Sequence, residues 1–317
     1  MAGFFVSYLN IHNLITLKTK NMGPNILVIG CGDIGYPLAA KLSEGYIGQV
    51  YVTRQDVSKG FGGLVNICTC GYDNKAFIKK VDIVILAVRP SQIECVLTEI
   101  GPLLKNKLLI SIAACKKIDF IQKRVDSSVR IARAMPNIAV AVRQSMTLIS
   151  YKQKMSDSDR EIVEYLFSRV GKIGIIHEEK MNEGTIFTGS MPAIIVYLYK
   201  LHGEYPPFEI PKEAVQYYDL VRKILKEIIL EHGFEKQIFS QVHMGLFKLM
   251  RVHKKSFDGV IHDVATKGGC TEAILKGMEE DQGFGVMITD SFNDYEKLFK
   301  DMIHYAINIG IQRLENM

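Results

Sequence analysis

At 317 residues the chain is longer than one hydrophobic core usually organises, so at least two domains are expected. Its 39 basic and 34 acidic side chains leave a net charge of +5 and are mixed along the sequence, which argues against a dedicated nucleic-acid surface and any charged tail. The six cysteines include no C-x-x-C pair, and Cys68-Thr69-Cys70 is too close and isolated for a zinc site, so no metal is expected and the thiols read as reduced, in a cytoplasmic protein.

Residues 1–22 read as a separate leader. Residues 4–17 are apolar but broken by Asn10, His12 and Asn13, with no basic segment before them, no small-residue cleavage site after them, and too little length to span a bilayer. Met22-Gly23-Pro24 looks like a natural start, so the leader is either an upstream start assignment or a membrane-surface anchor, and no membrane partner is expected.

Directly after it an apolar strand, Asn25-Ile26-Leu27-Val28-Ile29, runs into Gly30-Cys31-Gly32-Asp33-Ile34-Gly35 and then into helix-forming Pro37-Leu38-Ala39-Ala40-Lys41-Leu42. In this G-x-G-x-x-G context Gly30 makes the tight turn, Gly32 lets backbone approach a pyrophosphate, and Gly35 lets the helix close onto its strand. Amides at the helix start face the phosphates with the positive end of the helix dipole. Gly30, Cys31, Gly32, Asp33, Ile34 and Gly35 are therefore candidate cofactor residues; an ordinary glycine turn is the competing reading, and the strand before and helix after favour the dinucleotide.

Further strands are expected over 49–53, 81–88, 107–113 and 129–134, with helices over 74–80 and 91–104, the alternation of a doubly wound parallel sheet. The second strand ends in Thr53-Arg54, where an acidic residue would hold the ribose hydroxyls of NAD. Arg54 suits a 2′-phosphate gripped bidentately, with Thr53 donating a further hydrogen bond, so NADP (NADPH over NADH) is the expected cofactor. A solvated loop arginine, with Asp56 serving a ribose, is the alternative.

Beyond Glu178 the strand signal ends, and Val215, Tyr218, Val221, Leu225, Ile228 and Ile229 form a stripe at helical spacing, which is core or partner interface. The expected fold class is α/β: a Rossmann-like doubly wound parallel sheet over 23–180, followed by an all-α C-terminal dimerisation domain over 181–317. The cleft between the two is the natural place for an active site.

Six blocks fall in order along 25–280: Asp73-Asn74-Lys75, Ala87-Val88-Arg89-Pro90, Ser111-Ile112-Ala113-Ala114, Arg133-Ala134-Met135-Pro136-Asn137, Gly189-Ser190-Met191-Pro192-Ala193 and Thr266-Lys267-Gly268-Gly269-Cys270-Thr271. With them the chain resembles the pyrroline-5-carboxylate reductases, which make proline. The resemblance implies that Ala87, Val88, Arg89, Pro90 and Ala113 line the nicotinamide half, with Met135 and Asn137 beside them. It places Asn74 near the adenosine ribose, with a helix N-cap as its competing role, and reads Gly189 to Ala193 as the close-packed start of the first helix of the second domain. In the last block it implies that backbone N–H groups of Thr266, Lys267, Gly268, Gly269 and Cys270 hold the substrate carboxylate. Thr271 becomes the catalytic residue, its hydroxyl on the imine nitrogen; its competing role is an N-cap. A glycine-rich turn at a helix start also suits an anion on physical grounds. No other structural reason for the two glycines is visible in the sequence.

Two residues depart from the family pattern: Lys267 stands where proline is usual and Met191 where glycine is usual. Extra sequence between Ala193 and Gly233 lengthens the region that builds the family's dimer. The expected function is NADPH-dependent reduction of a cyclic imine carboxylate, pyrroline-5-carboxylate to proline, by a homodimer or higher homo-oligomer with no nucleic-acid partner. The alternatives are another imine or keto-acid reductase of the same fold, a deazaflavin-dependent NADP reductase sharing only the Rossmann half, and a non-catalytic NADP-binding regulatory protein. No histidine or carboxylate is an obvious general acid, and His262-Asp263 reads as helix surface or polar packing.

Overall fold

The computed structural model describes residues 23–46, 48–66, 68–203, 205, 210–280 and 292–317. The leader expected over 1–22 lies outside the described residues, as does part of the extra segment after Ala193. The chain divides into two compact units, Met1–Pro136 with Thr147–Met181 and Asn137–Met146 with Asn182–Met317. A sequence boundary at 180/181 does not separate 137–146, and packing within the second unit explains why. Ile138–Val142 forms a buried 3-10 turn. Gly245 carries no side chain where the Gln144 carbonyl and the Ala139 methyl approach it, and the Gln241 amide donates to the Gln144 carbonyl at 3.0 Å.

In the first unit β1 (Ile26–Ile29) leads through α1 (Gly35–Ser43) to β2 (Val50–Thr53), β3 (Thr69–Gly71) and α2 (Asn74–Ile78). There follow β4 (Ile83–Leu86), α3 (Ile93–Ile100), β5 (Leu108–Ser111), α4 (Ile118–Gln122), β6 (Arg130–Met135), β7 (Ser145–Tyr151), α5 (Asp157–Ser168) and β8 (Gly171–Ile175). They build one eight-stranded sheet in the order β3-β2-β1-β4-β5-β6-β7-β8. Every residue of β1, β4 and β5 is buried, the mark of parallel strands covered on both faces. The sheet is not wholly parallel, because β7 pairs antiparallel with β6. The short β3 also displaces the numbering expected from sequence, so Asp73-Asn74-Lys75 precedes the fourth strand.

Parallel register puts Gly71, Thr53, Ile29, Leu86, Ser111 and Arg133 in one row across the sheet. The residues just past that row form its carboxyl edge, where an open sheet binds its ligand. In that row Arg133, 1% exposed, donates to Glu178 Oε1 at 2.8 Å, and the same oxygen accepts the Ile118 amide at 3.1 Å. One carboxylate thus neutralises a buried guanidinium and fixes the start of α4.

From α6 onward the described residues form helices and the turns between them: α6 (Met181–Thr185), α7 (Met191–Lys200), α8 (Lys212–Glu231), α9 (Lys236–His253), α10 (Phe257–Val264), α11 (Cys270–Glu280) and α12 (Phe292–Glu315). Residues 186–190 continue α6 into α7 as one π-helical turn. Gly189 to Ala193 therefore lies inside a long helical run rather than opening a helix, and the widened turn accommodates Pro192, which has no N–H to give. Of the apolar stripe on α8, Tyr218, Val221, Leu225, Ile228 and Ile229 are fully buried, and only Val215 is exposed. Gly277 and Gly310 let α11 and α12 approach closely, against Ile309 and Ile274 respectively. Among the described residues no helix is long and apolar enough to cross a membrane, and no three His, Cys, Asp or Glu side chains are grouped to hold a metal.

Candidate active site

The three loop glycines meet different surroundings. A Cβ on Gly30, whose φ is +107°, would collide with the Ala87 carbonyl that follows β4. A Cβ on Gly35 would strike the Gly30 carbonyl and lie 3.1 Å from the Ala87 methyl, so the start of α1 sits directly on the turn. Gly32 has nothing within 4 Å of the place its Cβ would occupy. The cradle is therefore closed beneath Gly30 and Gly35 and open at Gly32, which fits a pyrophosphate approaching backbone at that point. Cys31 is buried, whereas Asp33 is exposed and Ile34 half-buried.

Thr53 and Asn74 come together, but not with free donors. Asp73 caps α2, accepting the Lys75 and Ala76 amides at 2.8 and 3.3 Å, so Asn74 has no capping duty. Its Oδ1 accepts the Thr53 hydroxyl at 2.6 Å and its Nδ2 donates to Glu99 Oε2 at 3.1 Å. Thr53 is buried and its hydrogen already placed, which removes it as a phosphate donor. Glu99 is a member of this chain of polar contacts that the sequence did not disclose.

Arg54 is held by its Nη1 donating to the Gly60 carbonyl and lies 5.9 Å from the centre of the Phe61 ring, while its Nε is buried without a partner. Phe61 in turn packs on Tyr72, ring centres 5.1 Å apart. The guanidinium is thus oriented by its own loop, with donor capacity left over for an anion.

Ala87 and Val88 follow β4, Ala113 follows β5 and Met135 ends β6, all on the carboxyl edge with the glycine turn. Arg89 is exposed and starts the short turn Pro90–Gln92, its amide donating to the Gln92 side chain at 3.2 Å. Asn137 falls in the second unit, fully buried; its Oδ1 accepts the Ala139 amide at 3.1 Å and its Nδ2 has no partner.

In the second unit the substrate-loop residues gather at the start of α11, with Thr266, Lys267 and Gly268 exposed and Cys270 and Thr271 buried. Two of the amides expected to hold a carboxylate already have acceptors. Gly268 N–H donates to Glu272 Oε2 at 2.6 Å, and Gly269 N–H to the Thr266 carbonyl at 2.9 Å. That Gly268 bond holds the Glu272 carboxyl below the usual carboxylate range, helped by Lys276 and Lys267. The Gly268 carbonyl accepts Arg313 Nε and Nη2 at 3.0 and 2.8 Å. The glycines also have a structural reason to be there: Gly268 has φ +72°, and a Cβ on Gly269 would lie 2.6 Å from Thr266 Oγ1. The start of α11 still presents the positive end of the helix dipole, which favours an anion.

Thr271 is inside α11, which begins at Cys270, and is not its N-cap. Its hydroxyl donates instead to Ser190 Oγ at 2.8 Å, an exposure of 7% for Thr271 and 2% for Ser190 making this a buried pair. Among the described residues no histidine is hydrogen-bonded to Thr271 or Ser190. His243 is pushed down to about 3 by burial and by Arg222 and Lys226, so it is neutral, and its Nε2 accepts from Arg222 Nε at 3.3 Å. His262 is exposed, and Asp263 pairs with Lys255.

A mostly parallel sheet in this strand order, with a glycine-turn cradle at its switch point, defines a dinucleotide-binding protein of the Rossmann class. Residues 25–115 match the family described as NADP oxidoreductase, coenzyme F420-dependent. The pyrroline-5-carboxylate reductase of Schizosaccharomyces pombe is 31% identical over 229 residues, 72% of this chain and 74% of that one. That of Staphylococcus saprophyticus is 25% identical over 245 residues, 76% and 78% of the two chains. The solved Plasmodium falciparum pyrroline carboxylate reductase with NADP bound aligns over 94% of this chain and 99% of its own, at 19% identity and a TM-score of 0.56. This chain belongs to the pyrroline-5-carboxylate reductase family.

The glycine surroundings separate fold from binding. Gly32→Ala should leave thermal unfolding within about 0.5 kcal/mol of the parent, as expected for a site without close neighbours, yet weaken NADPH at least roughly tenfold in a fluorescence titration, because the methyl enters the pyrophosphate's path. Gly35→Ala should destabilise the first unit. Equal cofactor affinity in Gly32→Ala and the parent would refute the assignment of the cradle.

Proposed function

We propose that this protein reduces pyrroline-5-carboxylate to proline with NADPH. The observation that carries the reading is the 31% identity to the S. pombe reductase over a stretch longer than the whole chain up to Met181, so that it reaches the helical unit as well as the sheet. That length also weighs against the deazaflavin alternative, which shares only the nucleotide-binding part.

The residues present fit the cofactor: an open cradle at Gly32, an oriented Arg54 with an unpartnered Nε, and a carboxyl edge of small and apolar residues at Ala87, Val88, Ala113 and Met135. NADPH, when bound, supplies the hydride. Gly30 to Gly35 would hold the pyrophosphate and Arg54 the 2′-phosphate; Thr53 and Asn74 support that corner through each other. At the start of α11 the first-turn amides hold the substrate carboxylate, aided by Lys267, and Thr271 meets the ring nitrogen. Fixing the carboxylate and the nitrogen together leaves the C=N bond one orientation, which converts an encounter into an effectively unimolecular step. A protonated imine accepts hydride without a strong acid, which agrees with a neutral, half-buried His243.

We further infer a cytoplasmic homo-oligomer, at least a dimer. The support is the family and the exposed Leu230, Met244, Val252 and Tyr305 on the helices of the second unit, since the α8 stripe itself is already covered. Light scattering at micromolar concentration should give a mass of two or more chains; a monomer would refute this.

NADPH oxidation with pyrroline-5-carboxylate, beside a panel of other cyclic imines and keto acids, tests the reaction directly. Turnover should be highest with pyrroline-5-carboxylate, and Thr271→Val should lower it roughly tenfold or more while NADPH affinity holds, as for an interaction made in the transition state. A protein that binds NADPH and reduces nothing in the panel is a regulatory ligand sensor instead.

Arg54→Ala should weaken NADPH by roughly 1.5–3 kcal/mol, the worth of a hydrogen bond to a charged group, and leave NADH nearly unchanged. Equal losses for both cofactors would show that Arg54 does not read the 2′-phosphate.

A further inference from the structure

Ser190 enters no part of the reading so far, yet it is the direct partner of Thr271. The two residues stand 81 positions apart and meet through buried side chains, Thr271 Oγ1 donating to Ser190 Oγ at 2.8 Å. Ser190 donates onward to the Cys270 sulfur at 3.9 Å, a weak acceptor. Ser190 closes the π-helical turn 186–190, a distortion that recurs at functional positions. The chain of hydroxyls is directional: it runs away from Thr271, through Ser190, to the Cys270 sulfur. No histidine or carboxylate is hydrogen-bonded to either hydroxyl among the described residues.

A threonine hydroxyl has one hydrogen to give and two lone pairs to offer. With the hydrogen committed to Ser190, Thr271 presents only lone pairs. Such an oxygen cannot donate to the lone pair of a neutral imine, but it can accept the N–H of a protonated one. We infer that Ser190 is a positioning residue: by accepting the Thr271 proton it fixes the Thr271 oxygen as the acceptor for the ring N–H of an iminium substrate. This rests on the reaction proposed above. In that reaction hydride adds to the ring carbon and forms the new C–H bond, and the C=N π pair moves onto nitrogen. The iminium becomes a neutral secondary amine that keeps its own N–H, so no proton is drawn from the protein.

The test compares wild type, Ser190→Ala, Thr271→Val and the double variant as full-length chains. Three things are measured: kcat/KM across pH, NADPH affinity, and equilibrium binding of L-proline against tetrahydrofuran-2-carboxylate by calorimetry. The last two ligands share ring and carboxylate but offer Thr271 a donor and an acceptor respectively. Ser190→Ala should lose roughly tenfold in kcat/KM, about the worth of one hydrogen bond, with NADPH affinity unchanged and the loss absent in the Thr271→Val background. The preference for proline over tetrahydrofuran-2-carboxylate should shrink, because the released hydroxyl can turn and donate to the ring oxygen. Ser190→Cys, similar in size with a weak acceptor, should give an intermediate ratio and guards against a folding defect in the alanine variant. Independent, multiplying losses for the two single variants, or an unchanged binding ratio in an active enzyme, would overturn the role of Ser190 alone. Absence of imine reduction by the wild type would overturn the reaction and this inference with it.

Discussion

The constraint on which the cradle depends is the approach of the Ala87 carbonyl to the backbone at Gly30, where no side chain could be accommodated. It lies between β1 and β4, the point at which the strand order turns from one direction to the other. Chain leaving β1 and chain leaving β4 must part there, and the gap is what an open sheet offers to a ligand. Gly35 extends the constraint to α1 by resting on the Gly30 carbonyl, so turn, helix start and neighbouring strand are positioned by one set of contacts. Because every residue of β1 and β4 is buried, the contact cannot relax by sliding a strand without exposing apolar surface. The open side at Gly32 is the counterpart: rigid on one face, vacant on the other.

Within each unit, polar groups are joined in short chains of contacts. Thr53, Asn74 and Glu99 form one, Arg133, Glu178 and the Ile118 amide another, and Thr271, Ser190 and Cys270 a third. A buried donor without an acceptor costs about as much as the bond it lacks, so such chains fix which way each hydroxyl and amide points. That direction is what gives chemical meaning to a residue with two possible roles. Thr53 becomes a support because its hydrogen goes to Asn74; Thr271 becomes an acceptor because its hydrogen goes to Ser190.

Much of this was legible in the sequence, and the reason differs from feature to feature. The glycine loop could be read because each glycine's duty is local, and β1, β4 and β5 because unbroken apolar runs mark covered strands. The three residues of β3, Thr69, Cys70 and Gly71, carry no such run, since an edge strand is only partly buried. The antiparallel β7 looks like any apolar strand, as direction is a property of the connection and not of composition. The π turn at 186–190 leaves the apolar pattern unbroken and so read as a helix start. The capping roles that competed for Asn74 and Thr271 fall elsewhere: Asp73 caps the start of α2, and α11 begins before Thr271. Partners such as Ser190, Glu99 and Glu178 had no local signature at all, because their meaning is a contact between distant parts of the chain.

The loop before α11 shows how a family position can keep its place and alter its means. Gly268 is clamped from both sides, its N–H by Glu272 and its carbonyl by Arg313. A proline in place of Lys267 would stiffen this turn by limiting its own φ; here three ion-assisted bonds to the next residue stiffen it from outside. The clamp places the Glu272 carboxylate on one amide that an incoming carboxylate would want, and two anions cannot share it. The same clamp braces the start of α11, the helix that carries Thr271, whose hydroxyl direction Ser190 sets.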